Sequence, residues 1–149
     1  MVYFNHMRYH ELQPHKGGTD LLVKANTKAG LIGAVLQGLA EAMAPEYAQD
    51  EEKAKITERP FTVEAGDFPS LLVALMKESQ RQSLAAKEAY DDARLALVTD
   101  KKLVGELMGR EVKSFGVTVV TIRENFSVQR NEHNEWQTTI TFDLKGKRD

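Results

Sequence analysis

At 149 residues the chain is the size of one domain, and 42% hydrophobic residues are enough to fill one core. Its 20 Lys and Arg against 22 Asp and Glu leave a net charge of −2, which excludes bulk electrostatic attraction to nucleic-acid phosphates and leaves any RNA contact to a local patch. The absence of cysteine excludes disulfides, thiolate metal sites, cysteine nucleophiles and iron–sulfur clusters, and accords with a reducing cytoplasm.

The opening Met1–His6 lacks the basic and apolar regions of a secretory signal, so a cytoplasmic protein is expected. Tyr3 to about Leu12, rich in Tyr, Phe and His, reads as a strand that Pro14 and Gly17-Gly18 break into a loop. Thr19–Ala25 alternates Leu21, Val23 and Ala25 with Asp20, Leu22 and Lys24, the period of a half-buried strand. Thr27 then caps a helix in which Leu31, Val35, Leu39 and Met43, with Ile32 and Leu36 beside them, recur at helical spacing until Pro45.

The charged stretch Glu46–Lys55 reads as a solvated loop. After Pro60, Phe61, Val63 and Ala65 alternate with Thr62 and Glu64 and predict a strand at a sheet edge. Asp67 caps a second helix with Pro69 in its first turn and Leu71, Leu72, Leu75 and Met76 on its buried face. The run Leu71–Met76 is the longest apolar one, far short of the ~20 residues of a membrane helix. Lys77–Gln82 is almost entirely polar, so the far half of this helix is expected to be exposed or to cover a partner. Ala93, Leu95 and Leu97, a hairpin at Thr99–Lys102, Leu103–Val112, Val117–Val128 and Trp136–Leu144 complete a β-rich half. In the last strand Trp136, Thr138, Ile140, Phe142 and Leu144 share one face, and Gln137, Thr139, Thr141 and Asp143 the other. These elements predict a single α+β domain over residues 1–149, with two layers: a mostly antiparallel sheet packed against two main helices.

Asp20 follows a glycine loop at the start of a strand, so its carboxylate is expected at the end of a sheet, where it suits a hard cation; Asp143 lies on the polar face of the last strand. If the first and last strands are neighbours, the two carboxylates converge, and such a pair needs a cation or a proton to offset its repulsion. The plainer alternative, which spacing alone favours, has Asp20 ending a turn and Asp143 solvated. His6 and His10, four residues apart on one strand face, and His15 beyond them offer imidazoles for zinc or nickel, but surface histidines explain them better; His133 in a turn adds little. Gly30-Leu31-Ile32-Gly33 and Lys16-Gly17-Gly18-Thr19 lack the full pattern of a phosphate loop, and no Gly-x-Ser-x-Gly elbow occurs. Lys101-Lys102 with Lys145, Lys147 and Arg148 form at most a weak polyanion patch, more simply a solvated tail.

Taken together, Tyr9-His10-Glu11-Leu12 running through His15 to Thr19-Asp20-Leu21, the helix Ala29–Met43, the segment Val63-Glu64-Ala65-Gly66-Asp67-Phe68-Pro69-Ser70-Leu71-Leu72, the later Gly105-Glu106 and Val117–Val120, and the closing Trp136 to Thr141-Phe142-Asp143-Leu144 resemble the archease family over nearly the whole chain. The resemblance implies a small cytoplasmic α+β protein that is not itself an enzyme. It would assist the RNA-splicing ligase that joins tRNA halves, promoting guanylylation and turnover, with only indirect contact with tRNA. It further implies a divalent cation, Ca²⁺, Mg²⁺ or Mn²⁺, held by Asp20 and Asp143, with a backbone carbonyl near Leu144 completing the site. The chain departs from the family pattern at His15–Asp20, where a His-Thr-Ala-Asp tetrapeptide is stretched to six residues. It departs again at the polar Glu78–Gln82 run, at Ile122-Arg123 in place of a Tyr-His pair, and in the tail Lys145–Asp149. Two alternatives outside the family are a protein-interaction or self-association module, and a small metal-dependent hydrolase using the same carboxylates.

Overall fold

A computed structural model describes residues 8–44 and 55–146. The expectations for Tyr3–Met7, for His6, for Pro45 and most of the charged stretch after it, and for Lys147–Asp149 lie outside these residues. The chain begins with a hairpin, β1 (Arg8–His15) and β2 (Gly18–Ala25), followed by helix α1 (Lys28–Met43). Strand β3 (Ile56–Glu64), helix α2 (Phe68–Ala86), β4 (Glu88–Val98) and β5 (Lys102–Glu111) come next. The short β6 (Val117–Val120) and β7 (Gln129–Arg130) precede the closing strand β8 (Trp136–Gly146).

The fold is α+β, with antiparallel sheets packed on two helices, as the hydrophobic periods predict. The strands divide between two sheets, one in the order β1-β2-β8-β6 with β7 also on β8, the other in the order β3-β5-β4. Helix α1 packs on β1 and β2 of the first sheet and most extensively on β4 of the second, which places the core between them. Leu21 and Val23 of β2, Ile140 and Phe142 of β8, Leu36 of α1 and Leu75 of α2 belong to that core. Fully burying each such Leu or Phe contributes roughly 1.5–3 kcal/mol. Close contact between helix and sheet needs a small residue, and Gly38 supplies it: a β-carbon there would lie 2.3 Å from Leu21 Cδ1.

Both expected caps form. Thr27 accepts a hydrogen bond from Gly30 N at 2.9 Å, and Asp67 accepts one from Ser70 N at 2.8 Å. Pro14 does not end the first strand, which runs on to His15. Strand β1 is a sheet edge, where a proline nitrogen need not donate to a neighbour.

The expected strand Val117–Val128 is reduced to Val117–Val120, because Thr121 has a left-handed backbone, φ 50°, that breaks the ladder. In β4, register shifts between Tyr90 and Asp92 and between Leu95 and Leu97 interrupt the alternation, so Leu97 is exposed whereas Ala93 and Leu95 are partly buried against the core. The hairpin after β4 forms as expected, with Thr99 N donating to Lys102 O at 3.0 Å.

The polar half of α2 is not wholly exposed. Ser79 and Ser83 are buried, and the Gln80 side chain bonds to both backbone groups of Val119 on β6. Among the described residues no helix is long and apolar enough to cross a membrane.

Candidate metal centre

Strand β2 pairs with β8 in the register Thr19 to Phe142, Asp20 to Thr141 and Leu21 to Ile140. Leu21, Ile140 and Phe142 are buried beneath the sheet, so by strand alternation Asp20, Thr141 and Asp143 share its open face. Asp20, the third residue of β2, stands in a middle strand between Gln13 of β1 and Thr141 of β8, on the face of the sheet near its hairpin end. Asp143 lies past the last β2 pair, beside Gly18. Gly18 has φ 136°, and a β-carbon there would sit 3.0 Å from both Asp143 Oδ1 and Phe142 O. A side chain at position 18 would therefore crowd Asp143, and glycine leaves it room.

Asp20 Oδ1 accepts hydrogen bonds from His15 Nε2 at 2.9 Å and Thr141 Oγ1 at 2.7 Å. Gly17 N donates to His15 Nδ1 at 3.1 Å, which makes Nδ1 the acceptor and Nε2 the proton-bearing nitrogen. The His15 bond first, then the Thr141 bond, with the field of Arg123 adding to them, hold the Asp20 carboxyl below its ordinary range. Arg123 Nη2 donates to Gly17 O at 2.6 Å and lies 3.6 Å from Asp143 Oδ1. His15, Asp20, Arg123 and Asp143 thus form one partly exposed cluster where the opening hairpin meets the closing strand.

Leu144 is opposite Val119 in the β6–β8 register. Because Val119 directs both backbone groups to Gln80, this pair exchanges no ladder bonds, and the Leu144 carbonyl is turned from β6 toward the hairpin end of β2. Two carboxylates and a main-chain carbonyl are hard oxygen donors of the kind Ca²⁺, Mg²⁺ or Mn²⁺ accepts, so the donor chemistry fits a divalent ion. The guanidinium of Arg123 brings a positive charge into the same cluster. Among the described residues no group of three His, Asp or Glu side chains gathers as a ligand set.

The remaining candidates separate. His10 and His15 are five apart and so on opposite faces of β1, with His10 Nε2 2.8 Å from Glu41 Oε1 on α1. Lys16-Gly17 turns between two strands rather than into a helix, so no helix N-terminus stands behind it to bind phosphate. Gly33 lies inside α1 under the Arg8 side chain. Lys101-Lys102 belongs to the hairpin of the second sheet, whereas Lys145 pairs with Thr118 in the first. His133 is exposed in the turn before β8.

Sequence reasoning named both aspartates but missed His15 as the partner of Asp20, and Arg123 as the cation beside Asp143. The His15–Asp20 spacing becomes a contact only because a two-residue turn folds them together. No protein-family model matches the chain, and no curated protein matches it.

Proposed function

We propose that the chain is an archease-like accessory protein that promotes guanylylation and turnover of an RNA-splicing ligase by way of a divalent cation at Asp20 and Asp143. The observation that supports this reading is the β2–β8 ladder, which brings two acidic residues 123 positions apart in the chain to one face of one sheet. Asp20, Asp143 and the carbonyl of Leu144 would hold the ion, with Ca²⁺, Mg²⁺ and Mn²⁺ the ions these oxygens suit. The ion would supply charge compensation, and the surface around it would help to arrange the ligase active site for nucleotide transfer. No covalent step falls to this chain.

The test is titration with each ion, followed by addition to a cognate ligase with GTP. Faster ligase guanylylation with the wild-type protein, and weaker ion binding with less stimulation after Asp20→Ala, are expected. Unchanged ligase turnover, or equal ion affinity in Asp20→Ala, defeats the reading.

A second reading, a protein-interaction or self-association module, draws on a groove of about 590 Å³ between the far half of α2 and strands β3 and β5. Phe61, Arg81, Ala85 and Val104 line this groove, and Leu84 nearby is 45% exposed. Light scattering showing a stable homo-oligomer, together with no effect on the ligase, favours it.

A further inference from the structure

Val120 pairs with Asp143, so an unbroken β6–β8 ladder would set Ile122 opposite Thr141. Instead Arg123 N donates to Thr141 O at 2.9 Å, one residue late. The extra residue is accommodated at Thr121, whose left-handed φ of 50° is a conformation that β-branched side chains rarely adopt. A one-residue insertion in a strand exchanges the faces of everything after it. Ile122, which a regular strand would place on the open face with Val120, packs against the core. Arg123, which a regular strand would turn inward, emerges beside Gly17 and Asp143. The strain at Thr121 thus re-aims one cationic side chain at Asp143, close enough for its charge to act on Asp20 as well.

We infer that Arg123 is the built-in counter-cation of Asp20 and Asp143, aimed there by the bulge at Thr121, and that a divalent ion reaches these carboxylates only by displacing its guanidinium. The counter-cation role stands on the geometry alone; the displacement rests on the metal reading above. Two like charges on one sheet face repel, and a guanidinium near them offsets the repulsion without an ion. Arg123 is 44% exposed, so it can swing into water when another cation arrives. Divalent binding to the wild-type protein is then a competition, and removing the guanidinium favours the ion.

Calorimetric titration of the full chain with calcium and, separately, manganese compares wild type, Arg123→Gln and Arg123→Gln/Asp143→Asn. We expect Arg123→Gln to bind about tenfold more tightly than wild type, and the double variant to lose that gain. Equal affinity in wild type and Arg123→Gln, with binding abolished by Asp20→Ala, overturns the displacement and leaves the metal reading standing. Absence of binding in both proteins overturns the two together. Thermal unfolding in EDTA tests the counter-cation role without any ion. Arg123→Gln is expected to lower the midpoint by a few degrees in the wild-type background and by clearly less in an Asp143→Asn background, where the bond to Gly17 O and the field on Asp20 are still lost but the Asp143 pair is already gone. An equal loss in both backgrounds overturns that role.

Discussion

The side-chain amide of Gln80 takes the place of a neighbouring strand for Val119: its Nε2 donates to Val119 O at 2.8 Å, and its Oε1 accepts from Val119 N at 2.6 Å. Strand β6 is the outer strand of its sheet, where unpaired backbone groups invite another chain to pair. Gln80→Ala leaves a donor and an acceptor without partners at a partly buried position. We expect a loss of about 1–3 kcal/mol in denaturant unfolding and faster hydrogen exchange of the Val119 amide. An unchanged exchange rate at Val119 would show that the amide does not protect this edge.

Glu88 offers a test by pH. Its carboxylate is buried, receives two bonds from Arg59 at 2.8 and 2.7 Å, and accepts a third from Tyr90 OH at 2.6 Å. The Arg59 bonds are the main cause that lowers its pKa from 4.5, against the opposing effect of burial. A carboxyl with a depressed folded pKa contributes stability that is present above its unfolded pKa and lost as pH falls through the folded value. The stability difference between wild type and Glu88→Gln should therefore be constant near neutral pH and shrink below about pH 4.5. Arg59→Met strands the buried carboxylate and is expected to cost about 2–4 kcal/mol at pH 7, with the cost falling in acid as Glu88 takes up a proton. Urea unfolding at a series of pH values reads both effects, and a pH-independent difference for Glu88→Gln would refute them.

The contact of Gly38 with Leu21 predicts a compensated pair. A methyl at position 38 favours the helix by about 1 kcal/mol in isolation, but it would lie 2.3 Å from Leu21 Cδ1 and 2.8 Å from Cδ2. Leu21 is fully buried and has little room to turn away. Gly38→Ala alone should destabilise by about 1–3 kcal/mol, and adding Leu21→Val should recover part of that loss. Additive losses in the double variant would mean that the two positions do not compete for the same space.

What the sequence made legible was local. Thr27 and Asp67 act within three residues of themselves, so their caps follow from the chain order alone. The alternation in β2 and β8 assigns Leu21, Val23, Ile140 and Phe142 to the core because the period of two needs no knowledge of the neighbours. The β2–β8 register, by contrast, joins residues some 120 positions apart and is written in neither strand's own pattern. The same alternation misled at Thr121, since a one-residue bulge leaves composition untouched while reversing the faces of Ile122 and Arg123. Gln80 was hidden for another reason: a glutamine in a polar helical run looks like solvent-facing sequence until a strand edge is known to lie against it.

Gly18 ties backbone conformation to the carboxylate cluster and yields the last prediction. Its φ of 136° is a conformation that L side chains rarely adopt, and a β-carbon there would meet Asp143 Oδ1 and Phe142 O, each at 3.0 Å. Gly18→Ala must therefore strain the hairpin or push Asp143 away, and the backbone carbonyl of Phe142 is the less able of the two contacts to yield. We expect a stability loss of about 1–3 kcal/mol from the strained residue. The displacement of Asp143 should also weaken divalent binding in the otherwise tighter Arg123→Gln background. Gly17→Ala is the control, because a methyl there meets only the His15 ring, at 3.4 Å, in ordinary contact. Thermal unfolding and calcium titration of both variants separate the two positions. Equal behaviour at 17 and 18 would show that the room left for Asp143 does not depend on glycine.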